Sequence, residues 1–479
     1  VRAVFSDSPS QAPSTLFRTL GLWDVIAMNV VGVVTLRWIT RAARMGAPSL
    51  VLWALAWLCF FLPLAAAVTE LSSRYPEQGG LYAWTRRAFG PVHGFICGWC
   101  LWVNNLFYFP SMLLFAAANA LAVFGGRFQG LADSHLYAVA FVLAMLWLSA
   151  GLAVVGFRAG RWANTLGTLC LWIPVALLIV AGVARLFTSG SATSFAPPAL
   201  VPRGEFWPAI GLWSGICFAF SGFEVTTLVG QEVKAARRTI PRGVLIGGLL
   251  ATIMYIAGTA SVLITIPASS LLERTGIADA VDLVAGQAGL VGMGGVTALL
   301  LALGAASTSN AWFASAGRVP FAVGLDRGCP AAFARLQARF HTPHVALVTQ
   351  AAAASVLFLT SVFLTVAGAR TTVQEAYDIL VNMTILVYFV PYLYLFLSLA
   401  WLRAKRTTAD EEIHVPGGQT GLALVAGTGL FATLISLLLV FVPPGGTANA
   451  INYEVNVVGQ TLAIVACGLA VFWWSRRRP

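Results

Sequence analysis

Charged side chains cut this chain into long apolar stretches. Counting residues free of Asp, Glu, Lys and Arg, the long runs extend from 21 residues (455–475) to 41 (413–453). A helix that crosses the hydrocarbon core of a bilayer needs about 20 apolar residues. Backbone polar groups in lipid must be paired within their own segment, which helices achieve and open sheets do not. The alternating strands of about 10 residues that mark a membrane β-barrel are not evident. The chain is 58% hydrophobic and 10% charged, whereas a soluble domain carries about 25% charged residues. These features predict an all-α membrane protein with twelve transmembrane helices, at about 20–43, 47–70, 91–124, 134–156, 162–187, 206–229, 241–267, 288–316, 344–367, 377–402, 420–442 and 456–475.

Two runs fall short. Residues 25–36 give 12 positions between Asp24 and Arg37, and residues 206–223 give 18 between Glu205 and Glu224. They belong to the first and sixth spans, and each carries a glycine at the expected interruption, Gly32 and Gly222. Short, glycine-interrupted segments at matching positions of two halves point to the binding site of a secondary transporter. An unwound turn at membrane depth is tolerated where it lines a cavity. There it frees carbonyls for a cation and N–H groups for an anion.

The formal net charge of +11 raises the question of a nucleic-acid partner, and the placement of the charge answers it. Basic residues follow spans two, four, six, eight and ten and both termini, so that 21 of the 29 Lys and Arg residues fall on one side. The positive-inside rule reads this as topology, with both termini cytoplasmic in a cell-membrane protein. No nucleic-acid partner is expected. Residues 1–19 read as a loose polar tail without a cleavable signal peptide, and 403–419 as a charged cytoplasmic linker before 420–479.

Several patterns resemble chemistry that the context argues against. Cys97-x-x-Cys100 lies inside an apolar span, where two small residues pack helices more readily than they exchange disulfides. His341 and His344 are too isolated for a metal site, no cluster has zinc spacing, and no phosphate loop or nucleophile elbow is present. No cofactor, metal or enzymatic activity is expected.

The polar residues within the spans are the functional candidates. Glu224 is a membrane-embedded acid, read either as a functional group or as a structural carboxylate capped by neighbouring N–H groups. Asn104, Asn105 and Tyr108 in span three, with Tyr377, Asp378 and Asn382 in span ten, either tie helices together or contact a substrate. Ser307, Thr308 and Ser309 offer hard oxygens for Na⁺, and equally suit helix packing. Arg37 either snorkels to the outer headgroups with Arg41 and Arg44, or binds a substrate carboxylate or an acid in the outer vestibule.

Three stretches resemble the amino acid–polyamine–organocation family of permeases. They are Glu70 to Tyr82 with Ala88-Phe-Gly90, Phe218 to Glu224 with Glu232 to Arg242, and Arg318 to Pro330 with Thr342-Pro343. The resemblance implies a five-plus-five inverted repeat, 20–187 and 206–402, with two further helices outside it. It also implies that broken helices one and six hold substrate. Gly32 and Val33 then lie at the first break, and Phe220, Ser221, Gly222 and Phe223 at the second.

Two departures from the family pattern stand out. The usual Gly-x-Gly of span one reads Gly32-Val-Val34, which removes space where a carboxylate would sit. The lysine that some members carry in span five is missing, which leaves protons through another group, Na⁺ near Ser309, or exchange without an ion. The expected function is alternating-access transport of amino acids or related small amines, by symport or by antiport. Alternatives are a polyamine carrier and a non-transporting sensor with the same fold.

Overall fold

The computed structural model describes residues 20–75, 80–155, 157–201, 206–228, 233–320, 330–340, 342–363, 371–405, 413–442 and 455–477. The expected tail 1–19, residues 406–412 of the expected linker, Pro76 to Gly79, Glu232, 321–329 and the last two residues lie outside them. Among the described residues the architecture is helical, with a single isolated bridge between Leu20 and Val233.

Among the described residues, ten helices are long and apolar enough to cross a membrane. The first and sixth expected spans are not among them, because each is broken. The first divides into α1 (Leu22–Val33) and α2 (Arg37–Ala43). The intact helix α3 (Pro48–Arg74) follows, with a wide π-turn at Trp57–Phe61. Then come α4 (Leu81–Phe89), α5 (Pro91–Ala122), α6 (His135–Val155) and α7 (Phe157–Thr188). The sixth span divides into α8 (Phe206–Ala219) and the single turn α9 (Val225–Leu228). Beyond it lie α10 (Ala236–Thr265), α11 (Gly276–Gln287), α12 (Met293–Ala316), α13 (His344–Phe363), α14 (Val373–Ala404), α15 (Gly418–Leu439) and α16 (Gln460–Arg477).

The first break falls slightly later than glycine alone suggests. Gly32 and Val33 form the last turn of α1, and the chain leaves the helix at Val34, with φ −72° and ψ 99°. Val33, Val34 and Thr35 are consecutive β-branched residues, which lose rotamer freedom against the preceding turn. The helix therefore gives way after Gly32 rather than at it. The second break runs from Phe220 to Glu224, with Gly222 at φ 104°.

Helix α5 is buried along its apolar length and packs against α12 and α14, while α12 also packs on α7. The broken segments dock on α10: α1 and α2 both touch it. Glycines permit the close approaches. A Cβ at Gly243 would lie 2.3 Å from Val25 Cγ1, and one at Gly248 would lie 1.9 Å from the Phe61 ring.

At the far end of α3, Glu70 is 1% exposed and gathers three partners. It accepts Arg403 Nη1 at 2.8 Å and the Val415 N–H at 2.8 Å, and Arg74 Nη2 lies 3.2 Å from its other oxygen. One carboxylate thus joins the end of α3, the end of α14 and the chain leading into α15.

Candidate functional site

The two interruptions face one another. A Cβ at Gly222 would meet Val33 Cγ2 at 3.4 Å and the Gly32 carbonyl oxygen at 3.6 Å. Beside them lies a small cavity. Gly32, Val33, Thr35 and Trp38 line it from the first broken segment, and Phe218, Ser221 and Gly222 from the second. Asn104, Asn105 and Tyr108 of α5, Trp312 of α12 and Tyr388 of α14 complete the wall.

A broken helix leaves backbone groups that must find partners in a dry interior. Two tyrosines supply them. Tyr255 Oη, from α10, donates toward the Val33 carbonyl at 2.8 Å and the Ala219 carbonyl at 3.2 Å, and accepts the Thr35 N–H at 3.3 Å. It therefore touches both breaks. Tyr392 Oη, from α14, accepts the Gly222 N–H at 2.9 Å and donates to Glu224 Oε2 at 2.7 Å.

Glu224 is 2% exposed and does not line the cavity. Its oxygens accept from Tyr388 Oη, Tyr392 Oη and, at 3.2 Å, the Gly222 N–H. Its link to the cavity runs through Tyr388. Phe220 and Phe223 also stand outside the lining. Phe220 packs edge-on against Trp53 and Tyr255, and Phe223 tilts onto Phe61 at 5.1 Å. Of the residues expected at the site, Gly32, Val33, Asn104, Tyr108, Ser221 and Gly222 meet around the cavity. The Asn104 side-chain oxygen is buried without a partner, whereas Asn105 Nδ2 is bound to the Leu101 carbonyl.

Ser307, Thr308 and Ser309 do not line the cavity. Ser307 sits against α7, where a Cβ at Gly167 would lie 1.9 Å from its Oγ. Thr308 and Ser309 are buried, and their hydroxyl oxygens have no hydrogen-bond partner. Among the described residues no group of His, Cys, Asp or Glu is arranged to hold a metal.

The arginines of α2 correct the snorkelling expectation. Arg37 is 1% exposed and Arg41 5% exposed, and only Arg44 reaches the surface. Arg41 Nη1 pairs with Glu273 Oε1 at 2.9 Å and Asp378 Oδ1 at 3.2 Å, while its Nη2 reaches Asn382 Oδ1. Arg44 takes the other Glu273 oxygen at 2.9 Å. Thr40 Oγ1 donates to the Glu273 carbonyl at 2.6 Å. Burial pushes the Glu273 carboxyl up, but the two guanidiniums outweigh it and hold it below its ordinary value. Arg37 Nη1 donates to Ser111 Oγ at 2.8 Å, and its guanidinium carbon lies 4.9 Å from the Trp38 ring and 5.1 Å from the Tyr108 ring.

Sequence reasoning passed over Tyr255, Tyr388, Tyr392, Trp38 and Trp312. Tyr388 and Tyr392 did carry a signal: two phenols four residues apart share one face of a helix. In an apolar span, that face must meet polar partners.

The sequence matches the amino acid permease family over residues 20–467. It is similar to an uncharacterized transporter of Legionella pneumophila, 25% identical across 94% of this chain and 95% of the relative. A serine/threonine exchanger of Bacillus subtilis is 24% identical across 88% of each chain. A glutamate/gamma-aminobutyrate antiporter of Lactococcus lactis is 23% identical across 82% of this chain and 77% of its own.

Proposed function

Because the chain belongs to the amino acid permease family, a family of membrane transporters, we propose that it carries an amino acid across the cytoplasmic membrane by alternating access. The observation that supports this reading is the cavity between the two helix breaks. The carbonyl ends of α1 and α8 are the negative poles of their helices and suit a substrate ammonium group. The Asn104 oxygen, buried without a partner, adds a further acceptor. Trp38, Tyr108, Phe218, Trp312 and Tyr388 give the remainder an aromatic wall.

In this reading the two broken segments complete twelve spans, arranged as the five-plus-five inverted repeat with two helices outside it, and both termini are cytoplasmic. Gly32, Val33, Asn104, Tyr108, Ser221 and Gly222 contact substrate. Glu224 holds the second break in shape through Tyr388 and Tyr392 rather than touching the substrate. Phe220 and Phe223 pack the half-helices. Outer access requires the Arg41–Glu273–Asp378 cluster to part, because it ties α2 to α14 and to the chain before α11.

Ion-coupled uptake is one mode, and the unpartnered hydroxyls of Thr308 and Ser309 provide oxygen ligands for Na⁺. Exchange is the second, favoured by the relatives that are exchangers. Purified protein in proteoliposomes, given labelled amino acids with and without an inward Na⁺ or proton gradient or an internal amino acid, decides between them. Gradient-driven accumulation from empty vesicles supports symport, and uptake only into loaded vesicles supports exchange. No flux of any amino acid or amine under any condition would rule out the transport reading.

A further inference from the structure

Among the described residues, Arg37 is a buried cation without a carboxylate partner. The cluster around α2 holds three guanidiniums, Arg37, Arg41 and Arg44, and two acids, Glu273 and Asp378. Both acids are engaged by Arg41 and Arg44. Glu224 is occupied by Tyr388, Tyr392 and the Gly222 amide. One guanidinium is left without a paired carboxylate among the described residues, and it sits on a side chain that cannot shed its proton.

The guanidinium is unsatisfied on a particular edge. Nη1 is bound to Ser111, whereas Nε and Nη2 are both buried without a partner. Those two nitrogens present parallel N–H bonds along one side of the plane, the fork that receives a carboxylate in bidentate fashion. The flanking rings identify where such a carboxylate would come from. Trp38 and Tyr108, whose rings lie 4.9 Å and 5.1 Å from the guanidinium carbon, are both part of the cavity wall, and Arg37 itself is not.

On the reading that this cavity holds an amino acid, we propose that Arg37 is a specificity residue that receives a second carboxylate, so that the substrate is an acidic amino acid. A zwitterion has a single carboxylate, and leaves the Arg37 fork without one of its own. One additional carboxylate pairs it. An amine without a carboxylate, or a polyamine, offers that fork nothing and is excluded.

The test is transport by the full chain in proteoliposomes, with glutamate, aspartate, glutamine, asparagine and putrescine as probes. Charge-assisted hydrogen bonds correspond to about 10- to 100-fold in affinity. Wild-type protein is expected to take up glutamate or aspartate with a KM lower than that of its amide by about that factor. Arg37→Gln is expected to raise the KM for the acidic substrate by a similar factor while leaving the amide nearly unchanged. Arg37→Lys, which keeps the charge and loses the fork, falls between them. Uptake of amides or putrescine in preference to the acids overturns the inference while leaving the transport reading intact. An equal loss for acids and amides in Arg37→Gln also overturns it, since the contact would then be to the carboxylate common to all amino acids. If that variant does not fold, the wild-type preference alone decides, read as uptake and as thermal stabilisation by glutamate against glutamine at matched ionic strength.

Discussion

Tyr392 gives its hydroxyl proton to Glu224 and takes the N–H of Gly222 on the same oxygen, at 2.7 Å and 2.9 Å. A single phenol from α14 therefore satisfies a buried carboxylate and an amide released by the second break. Tyr388, four residues earlier, holds the other carboxylate oxygen and also lines the cavity. The pair predicts a division of effects. Tyr392→Phe leaves the Gly222 amide with only its longer contact to Glu224, and should destabilise the protein by about 1–3 kcal/mol. Tyr388→Phe should lower stability by a similar amount and raise the KM as well. Thermal unfolding of both variants beside their uptake kinetics checks this, and an unchanged KM in Tyr388→Phe would contradict the placement of that ring.

The two glycines at the breaks should respond differently to alanine. Gly222 has φ 104°, where an L-residue carries a strain of about 1–3 kcal/mol. Gly222→Ala should lower the unfolding temperature and abolish transport. Gly32 lies in the last turn of α1, and a Cβ there meets Trp312 Cζ2 at an ordinary 3.6 Å. Gly32→Ala should therefore fold normally and raise the KM by filling the cavity. Equal destabilisation by both substitutions would show that the breaks are alike in strain.

Acid should loosen the Glu273 contacts of the α2 cluster at low pH. The Glu273 carboxyl, although buried, is held below 4.5 by Arg41 and Arg44. With the folded-state value below the unfolded one, the unfolded chain binds the extra proton, so stability rises with pH through that interval. The contribution is complete above about pH 4.5 and is lost as the pH falls further. Unfolding temperature against pH should show this acid limb in wild-type protein, and Glu273→Gln should flatten it. An acid limb of equal depth in Glu273→Gln would assign it to another group.

Glu70 predicts a structural effect remote from the cavity. Removing one partner of a buried ion pair costs about 3–5 kcal/mol, and Glu70 serves Arg403, Arg74 and the Val415 amide together. Glu70→Ala should unfold early and expose the chain after α14 to protease. Glu70→Gln, which keeps one acceptor, should be milder. Limited proteolysis between α14 and α15 provides the measurement.

The breaks were legible in the sequence because charge-free runs of 12 and 18 residues cannot span a bilayer. Their position to the residue was less so: glycine at 32 drew attention, but the β-branched run that follows decides where α1 ends. Glu224 was visible as a buried acid, and its role was not. An acid in a hydrophobic stretch announces that it has partners without naming them, and those partners lie more than 160 residues away on α14. Arg37 was left between two readings for a related reason. Arginine at the end of a short apolar run snorkels by default, and only the packing of Trp38, Tyr108 and Ser111 around it shows a burial that composition does not predict. Tyr255 gave almost no signal, being one phenol within an apolar run.

That phenol has one proton and two carbonyls to give it to, Val33 at 2.8 Å and Ala219 at 3.2 Å. The two half-helices therefore compete for a single donor. Whatever draws Tyr255 toward one break leaves the other short of a bond. The halves of the molecule are rivals for the same hydrogen, and neither can rearrange its interruption without the other registering the change.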